Sequence, residues 1–136
     1  MIITKETDYA LRILRALAGG QQLTTAQLSE QEQIPKQFAY KILKKLQKSD
    51  LVSIQRGAEG GCHLQTSLDQ ITLFRLMQAM DEDSAVSSCM KPGYACQWCK
   101  SHNDAVCRAH IHLTAIQQKL NEELDAYPLQ EILFGP

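Results

Sequence analysis

Apolar residues recur at helical spacing through the first fifty positions. Tyr9, Ala10, Ile13, Leu14 and Leu17 share one face of a helix predicted over residues 4–18, with Thr4 placed to cap it and Gly19-Gly20 to end it. Thr24 and Gln27, three apart, form a capping-box pattern at the start of a short second helix, to which Ala26, Leu28 and Ile34 supply apolar contacts. Pro35 suits the first position of a third helix, where its missing N–H costs nothing. The apolar stripe of that helix is Phe38, Ala39, Ile42, Leu43 and Leu46; its opposite face carries Lys36, Gln37, Tyr40, Lys41, Lys44, Lys45 and Lys48. Two short helices, a tight turn and a basic third helix predict a helix-turn-helix.

The period then changes. Residues 51–56 and 62–65 alternate apolar and polar positions about the turn Gly57-Ala58-Glu59-Gly60-Gly61, which predicts a β-hairpin. A hairpin directly after a helix-turn-helix is a wing, and Arg56 at its base can meet phosphate or a minor groove. Cys62 and Leu64 fall on its inward face, so Cys62 reads as core. An amphipathic helix over 71–80 ends at Asp81-Glu82-Asp83. Residues 84–104 show no period, and a loop of that length needs a reason. From 105 to 127 a long helix is predicted, with Val106, Leu113, Leu120 and Tyr127 seven apart and Ala109, Ile116 and Leu124 near the complementary position, a seam for packing between two subunits. The expected fold is mainly α with a small β-hairpin wing: a winged helix-turn-helix domain over 1–83, a cysteine-rich sensor loop over 84–104, and a dimerisation helix with C-terminal tail over 105–136.

Charge sharpens this division. The net charge of −1 conceals a basic half and an acidic half, since 9 Lys/Arg face 5 Asp/Glu over residues 1–58 and 5 face 10 over residues 59–136. The basic half suits a polyanion. No stretch has the length of a signal peptide's apolar core or of a membrane span, so a cytoplasmic protein with no membrane partner is expected. Paired catalytic acids, a nucleophile motif and a phosphate-binding glycine loop are all missing, and the glycine-rich turn joins two strands rather than a strand and a helix; neither an enzyme nor a small-molecule substrate is expected.

Of the 5 cysteines, Cys89, Cys96, Cys99 and Cys107 bunch in the aperiodic loop and at its exit. In a cytoplasmic chain this favours metal or redox chemistry over structural disulfides. Read from the residues alone, Cys96-x2-Cys99 followed by Cys107-x2-His110 is a four-ligand set for tetrahedral zinc, and metal-free thiols able to oxidise are a further reading. Trp98 reads as a cover for the loop rather than a base-stacking residue, and His102 and His112 read as surface residues.

Three segments carry a resemblance. Thr7-Asp8-Tyr9-Ala10-Leu11-Arg12, the wing Arg56-Gly57-Ala58-Glu59-Gly60-Gly61-Cys62-His63-Leu64, and Ile71-Thr72-Leu73 with Ala79-Met80-Asp81 resemble the corresponding parts of the IscR/NsrR-type winged-helix regulators, the Rrf-two family. The resemblance runs over nearly the whole chain. It implies a homodimeric regulator, some of whose kin are repressors, that binds double-stranded operator DNA and senses redox state, nitric oxide or iron–sulfur status. It also implies an iron–sulfur cluster, 2Fe–2S or 4Fe–4S, held by Cys89, Cys96 and Cys107, with His110 or the first-helix Asp8 of a second subunit as fourth ligand and Cys99 as a further candidate. Cluster-bearing members space their cysteines more closely and evenly than this chain does. The alternative is a cofactor-free or zinc-bound regulator controlled by thiol oxidation or by a protein partner. For the DNA-reading surface the expected residues are Lys36, Gln37, Tyr40, Lys41 and Arg56, with Gln37 suited to an adenine edge and Tyr40 to a thymine methyl.

Overall fold

The computed structural model describes residues 1–136. The first three helices are α1 (Lys5–Ala16), α2 (Thr25–Glu32) and α3 (Lys36–Lys48), followed by the hairpin β1 (Val52–Gln55) and β2 (Gly61–Leu64). A 3₁₀ turn, Leu68–Gln70, leads into α4 (Leu73–Ala79); a second, Ser88–Met90, lies in the loop; then come α5 (Gln97–Ser101), α6 (Arg108–Leu124) and α7 (Leu129–Phe134).

The apolar periodicity explains the packing. Ala10, Ile13, Leu14 and Leu17 of the first helix are sealed against Ala39, Ile42, Leu43 and Leu46 of the third, with Leu28 of α2 closing one side and Leu76 and Met80 another. Phe38 leaves the stripe: it is 40% exposed, its ring 6.2 Å from that of Tyr9 at the edge of the core. Thr24 and Gln27 form both halves of the capping box. Thr4 occupies the N-cap position of α1 but makes no capping bond, and its Oγ1 is buried without a partner. Pro35 stands at the N-cap of α3, one position before the helix proper, its carbonyl accepting from Phe38 and Ala39.

The hairpin pairs antiparallel, Val52 with Leu64 and Ile54 with Cys62. Cys62 is 1% exposed and joins the core, and burial raises its thiol pKa. The wing is braced from behind by Leu23, whose N–H and C=O exchange bonds with Cys62. Its tip requires glycine at position 60, where a Cβ would stand 2.5 Å from the Gln55 carbonyl oxygen and 2.8 Å from that of Gly57. Three core helices and a two-stranded wing make this a winged helix-turn-helix.

Two elements were absent from the pattern-based reading. The loop 84–104 contains α5, five residues long and too short for a period to register. The C-terminal tail contains α7, and Leu129 is fully buried in the core of the winged domain, its N–H bonded 2.7 Å from the Ile71 carbonyl oxygen. The predicted seam also divides. The regular helix begins at Arg108 and stops at Leu124, so Val106 and Tyr127 lie outside it. Leu124 turns into its own chain and Leu113 and Leu120 are half-buried, whereas Ile111 and Ile116 are 55% and 50% exposed. Apart from Leu129, every residue of the main core lies between Tyr9 and Met80. Residues 84–127 therefore have no core of their own. The chain exposes 8774 Å², whereas a compact monomer of 15.3 kDa exposes about 7,100 Å². No helix is long and apolar enough to cross a membrane.

Candidate functional site

The exposed basic side of α3 begins where Pro35 ends the turn after α2. Lys36, Gln37, Tyr40 and Lys41 are all exposed there, and the Lys44 ammonium lies 4.9 Å from the Tyr40 ring centroid, a cation–π contact. Arg56 is exposed just past the end of β1, where the turn at the wing's tip begins and not at the wing's base as expected, because Gln55 and Gly61 form the last pair of the hairpin. Lys45, expected on this free face, is not free. Its Nζ donates to Glu6 Oε2 at 3.0 Å and to the Met80 carbonyl at 3.2 Å, with Asp81 Oδ2 at 3.6 Å. Helical geometry explains the departure, because position 45 sits at the border of the stripe that faces α1 and α4. Lys41, on the same side one turn earlier, pairs with the other Glu6 oxygen at 2.7 Å. Hydrogen bonds from Lys41 and then Lys45 hold the Glu6 carboxyl below its usual pKa. For Lys45, burial opposes the charge, but the bond and charge of Glu6, joined by Asp81, outweigh it and raise its pKa.

The cysteine loop starts from Glu82, whose carboxylate accepts a hydrogen bond from the buried Thr7 hydroxyl of α1. It is then fastened to α6: the Val86 N–H donates to Gln117 Oε1 at 2.8 Å, Gln117 Nε2 donates to the Ser84 carbonyl at 2.8 Å, and Ser84 Oγ donates to Asn121 Oδ1 at 2.6 Å. Gln117 and Asn121 are four apart on the inward face of a helix, a spacing that could have marked them beforehand.

So held, the loop brings Cys89, Cys96, Cys99, Cys107 and His110 to the wall of one cavity of about 590 Å³. Cys96 precedes α5 and Cys107 precedes α6, so each thiol stands at the start of a helical turn. The Cys99 N–H, then the Cys99 thiol, and then the Trp98 N–H bond to the Cys96 sulfur and lower its pKa; the same bond and the neighbouring Cys96, Cys107 and Asp104 charges help to raise that of Cys99. This arrangement favours a thiolate at Cys96, the form that binds metal. No three Cys, His, Asp or Glu side chains meet closely enough to share one metal ion. Asp8 is not at the cavity; its carboxylate pairs with Arg12 of the same helix at 2.9 Å. Trp98 and His102 stack with ring centroids 4.3 Å apart on the exposed side of α5. Tyr94 and Asp104, which also line the cavity, were not marked by spacing.

A winged helix with an exposed basic recognition face and an appended thiol-lined cavity defines a DNA-binding regulator. The chain belongs to the Rrf2 family, described as iron-dependent transcriptional regulators, whose model matches residues 3–134. Among curated relatives, it is 32% identical over 95 residues to protein aau3 of Rhizobium meliloti, a match covering 68% of this chain and 62% of that protein. It is 31% identical over 96 residues to the HTH-type transcriptional regulator NsrR of Oceanobacillus iheyensis, covering 68% and 65%. The matches thus span less than two thirds of the length of these two relatives. A putative HTH-type transcriptional regulator rrf2-like of Rhodobacter capsulatus is 27% identical over 97% of this chain and 92% of its own. Among solved structures, CymR, the global cysteine regulator of B. subtilis, superposes with a TM-score of 0.73 at 20% identity over 97% of this chain and 95% of its own. IscR of T. potens superposes at 0.65 with 18% identity over 98% and 86%. Both likenesses are of fold.

Proposed function

We propose that the chain acts as a cytoplasmic homodimer that binds operator DNA and is controlled by an iron–sulfur cluster in the cysteine loop. The observation that carries this reading is the gathering of four thiols and His110 around one cavity. A mononuclear zinc site needs four donors about 2.0–2.3 Å from a single ion, whereas a cluster takes its thiolates around a larger body. Four thiols around one cavity supply the soft donors a cluster needs, and the depressed Cys96 suits thiolate ligation. Cys89, Cys96 and Cys107 would hold the cluster, with His110 at the cavity as fourth ligand, or Asp8 of a second copy after release from Arg12. When bound, it would supply iron sites that react with oxygen or nitric oxide. The chain's own residues carry the consequence outward: Gln117 and Asn121 tie the loop to α6, and Glu82 ties its start to α1. A change in loop conformation thereby reaches both the dimer helix and the recognition unit, whose half-site spacing is a strict geometric demand.

The dimer is supported by surface area. The exposed excess over a compact monomer is about 1,600 Å², against roughly 800 Å² per partner in a standard interface. Ile116, with Ala109 seven residues earlier on the same exposed stripe of α6, is the natural contact. DNA would be read by Gln37 and Tyr40, with Lys36, Lys41 and Arg56 on phosphates.

The test is anaerobic reconstitution of wild type, Cys89→Ala and Cys107→Ala, read by iron and sulfide content, visible absorption and binding to a duplex selected from a randomised pool. Wild type should bind a cluster and change its DNA affinity with it, and both variants should lose it. Full clusters in both variants would refute the ligand set; DNA binding indifferent to the cluster would refute the switch. Colourless wild-type protein with an oxidisable Cys96–Cys99 pair would favour the cofactor-free reading, which the placement of these two thiols three residues apart at the wall of one cavity supports.

A further inference from the structure

Glu6 lies on α1, outside the recognition helix, yet both its oxygens are bound by lysines of α3. The two lysines differ. Lys45 is largely covered and surrounded by three acceptors, Glu6, the Met80 carbonyl and Asp81, so it stays in place. Lys41 has a side chain 57% exposed and Glu6 as its acid partner. It stands beside Lys36, Gln37 and Tyr40, on the side from which DNA would approach. A carboxylate and a phosphate offer an ammonium the same chemistry, two anionic oxygens at hydrogen-bond distance.

We propose that Glu6 is an internal competitor for the DNA backbone, holding Lys41 by carboxylate in the free protein and yielding it to a phosphate on binding, so that this residue off the recognition helix sets DNA affinity and its salt dependence. This rests on the assignment of the exposed α3 face to DNA. Transfer of Lys41 to phosphate leaves Glu6 with Lys45 alone, and the partly uncompensated carboxylate takes up a cation. Net counterion release is then smaller than for a lysine with no internal partner. Each phosphate neutralised in full contributes about 0.9 to the slope of log K against log salt.

The experiment measures binding of a mixed-sequence DNA duplex by fluorescence anisotropy over a salt series. The variants are Glu6→Gln, Glu6→Gln with Lys41→Ala, Lys41→Ala alone, and Lys36→Ala with Tyr40→Ala. Glu6→Gln should tighten binding several-fold at low salt and steepen the slope by up to about 0.9. Lys41→Ala should cancel both gains, and should cost more in the Glu6→Gln background than in wild type. If Glu6→Gln destabilises the fold by leaving Lys45 short of a partner, Glu6→Gln with Lys45→Met removes that charge and should show the same steepening. Equal slopes for wild type, Glu6→Gln and Glu6→Gln with Lys45→Met overturn the proposal. If Lys36→Ala with Tyr40→Ala and Lys41→Ala all bind as wild type does, the α3 assignment has failed and the competitor role fails with it. Weakened binding in those variants with no effect of Glu6→Gln defeats the competitor role alone.

Discussion

Both oxygens of Glu6 are engaged in the free protein, and its stability consequence has a definite sign. The folded Glu6 pKa lies below the ordinary carboxylate value, so its contribution is full above that value and is lost as pH falls through the folded pKa. The folded Lys45 pKa is raised, so its contribution is full below the ordinary lysine value and is lost as pH rises through the folded pKa. Glu6→Gln should therefore flatten the acid limb of a stability–pH curve measured by urea unfolding. The effect should stay near ~1 kcal/mol, because solvent screens the pair. Cysteine reactivity is a second residue-scale outcome. Cys62 is sealed and its thiol pKa raised, whereas the other four free cysteines are partly open. Brief iodoacetamide treatment of the folded, metal-free protein should add four labels by intact mass, with a fifth only after denaturation.

Among the elements, legibility followed length and period. The helices α1 and α3 were readable because their stripes run over three turns and are filled by a single core. The capping box of α2 was readable because it is local chemistry. α5 and α7, with 5 and 6 residues, present no stripe, and the burial of α7 depends on a long-range bond from Leu129 to Ile71. The heptad reading of α6 found the apolar positions, and the single chain buries Leu124 while leaving Leu113 and Leu120 half-open. Gln117 and Asn121 tie one face of α6 to the loop, and Leu124 on that side is buried in the chain itself. Two substitutions separate the buried anchor of α7 from the exposed stripe of α6. Leu129→Ala should lower unfolding free energy by about 2 kcal/mol or more, seen in denaturant melts. Ile116→Lys should leave the monomer's melt nearly unchanged and reduce the mass found by light scattering; a variant that stays the same size would place the interface elsewhere.

The whole molecule is one winged unit from which a long excursion leaves at Asp83 and to which the chain returns at Leu129. The candidate thiols were legible because soft ligands cluster in sequence, and the cavity they line was not, since it depends on how Gln117 and Asn121 fold the loop onto α6. Both ends of the excursion are anchored in the same body, so its interior can vary in length without disturbing that body. Closing a flexible loop costs only about 0.6 kcal/mol more for each doubling of its length. Two extra residues inserted between Pro92 and Gly93 should thus shift the melting temperature little, even if they alter what the cavity holds. The cysteine segment is in this sense a replaceable cassette: the spacing of its thiols can change while the winged scaffold that carries it keeps its fold.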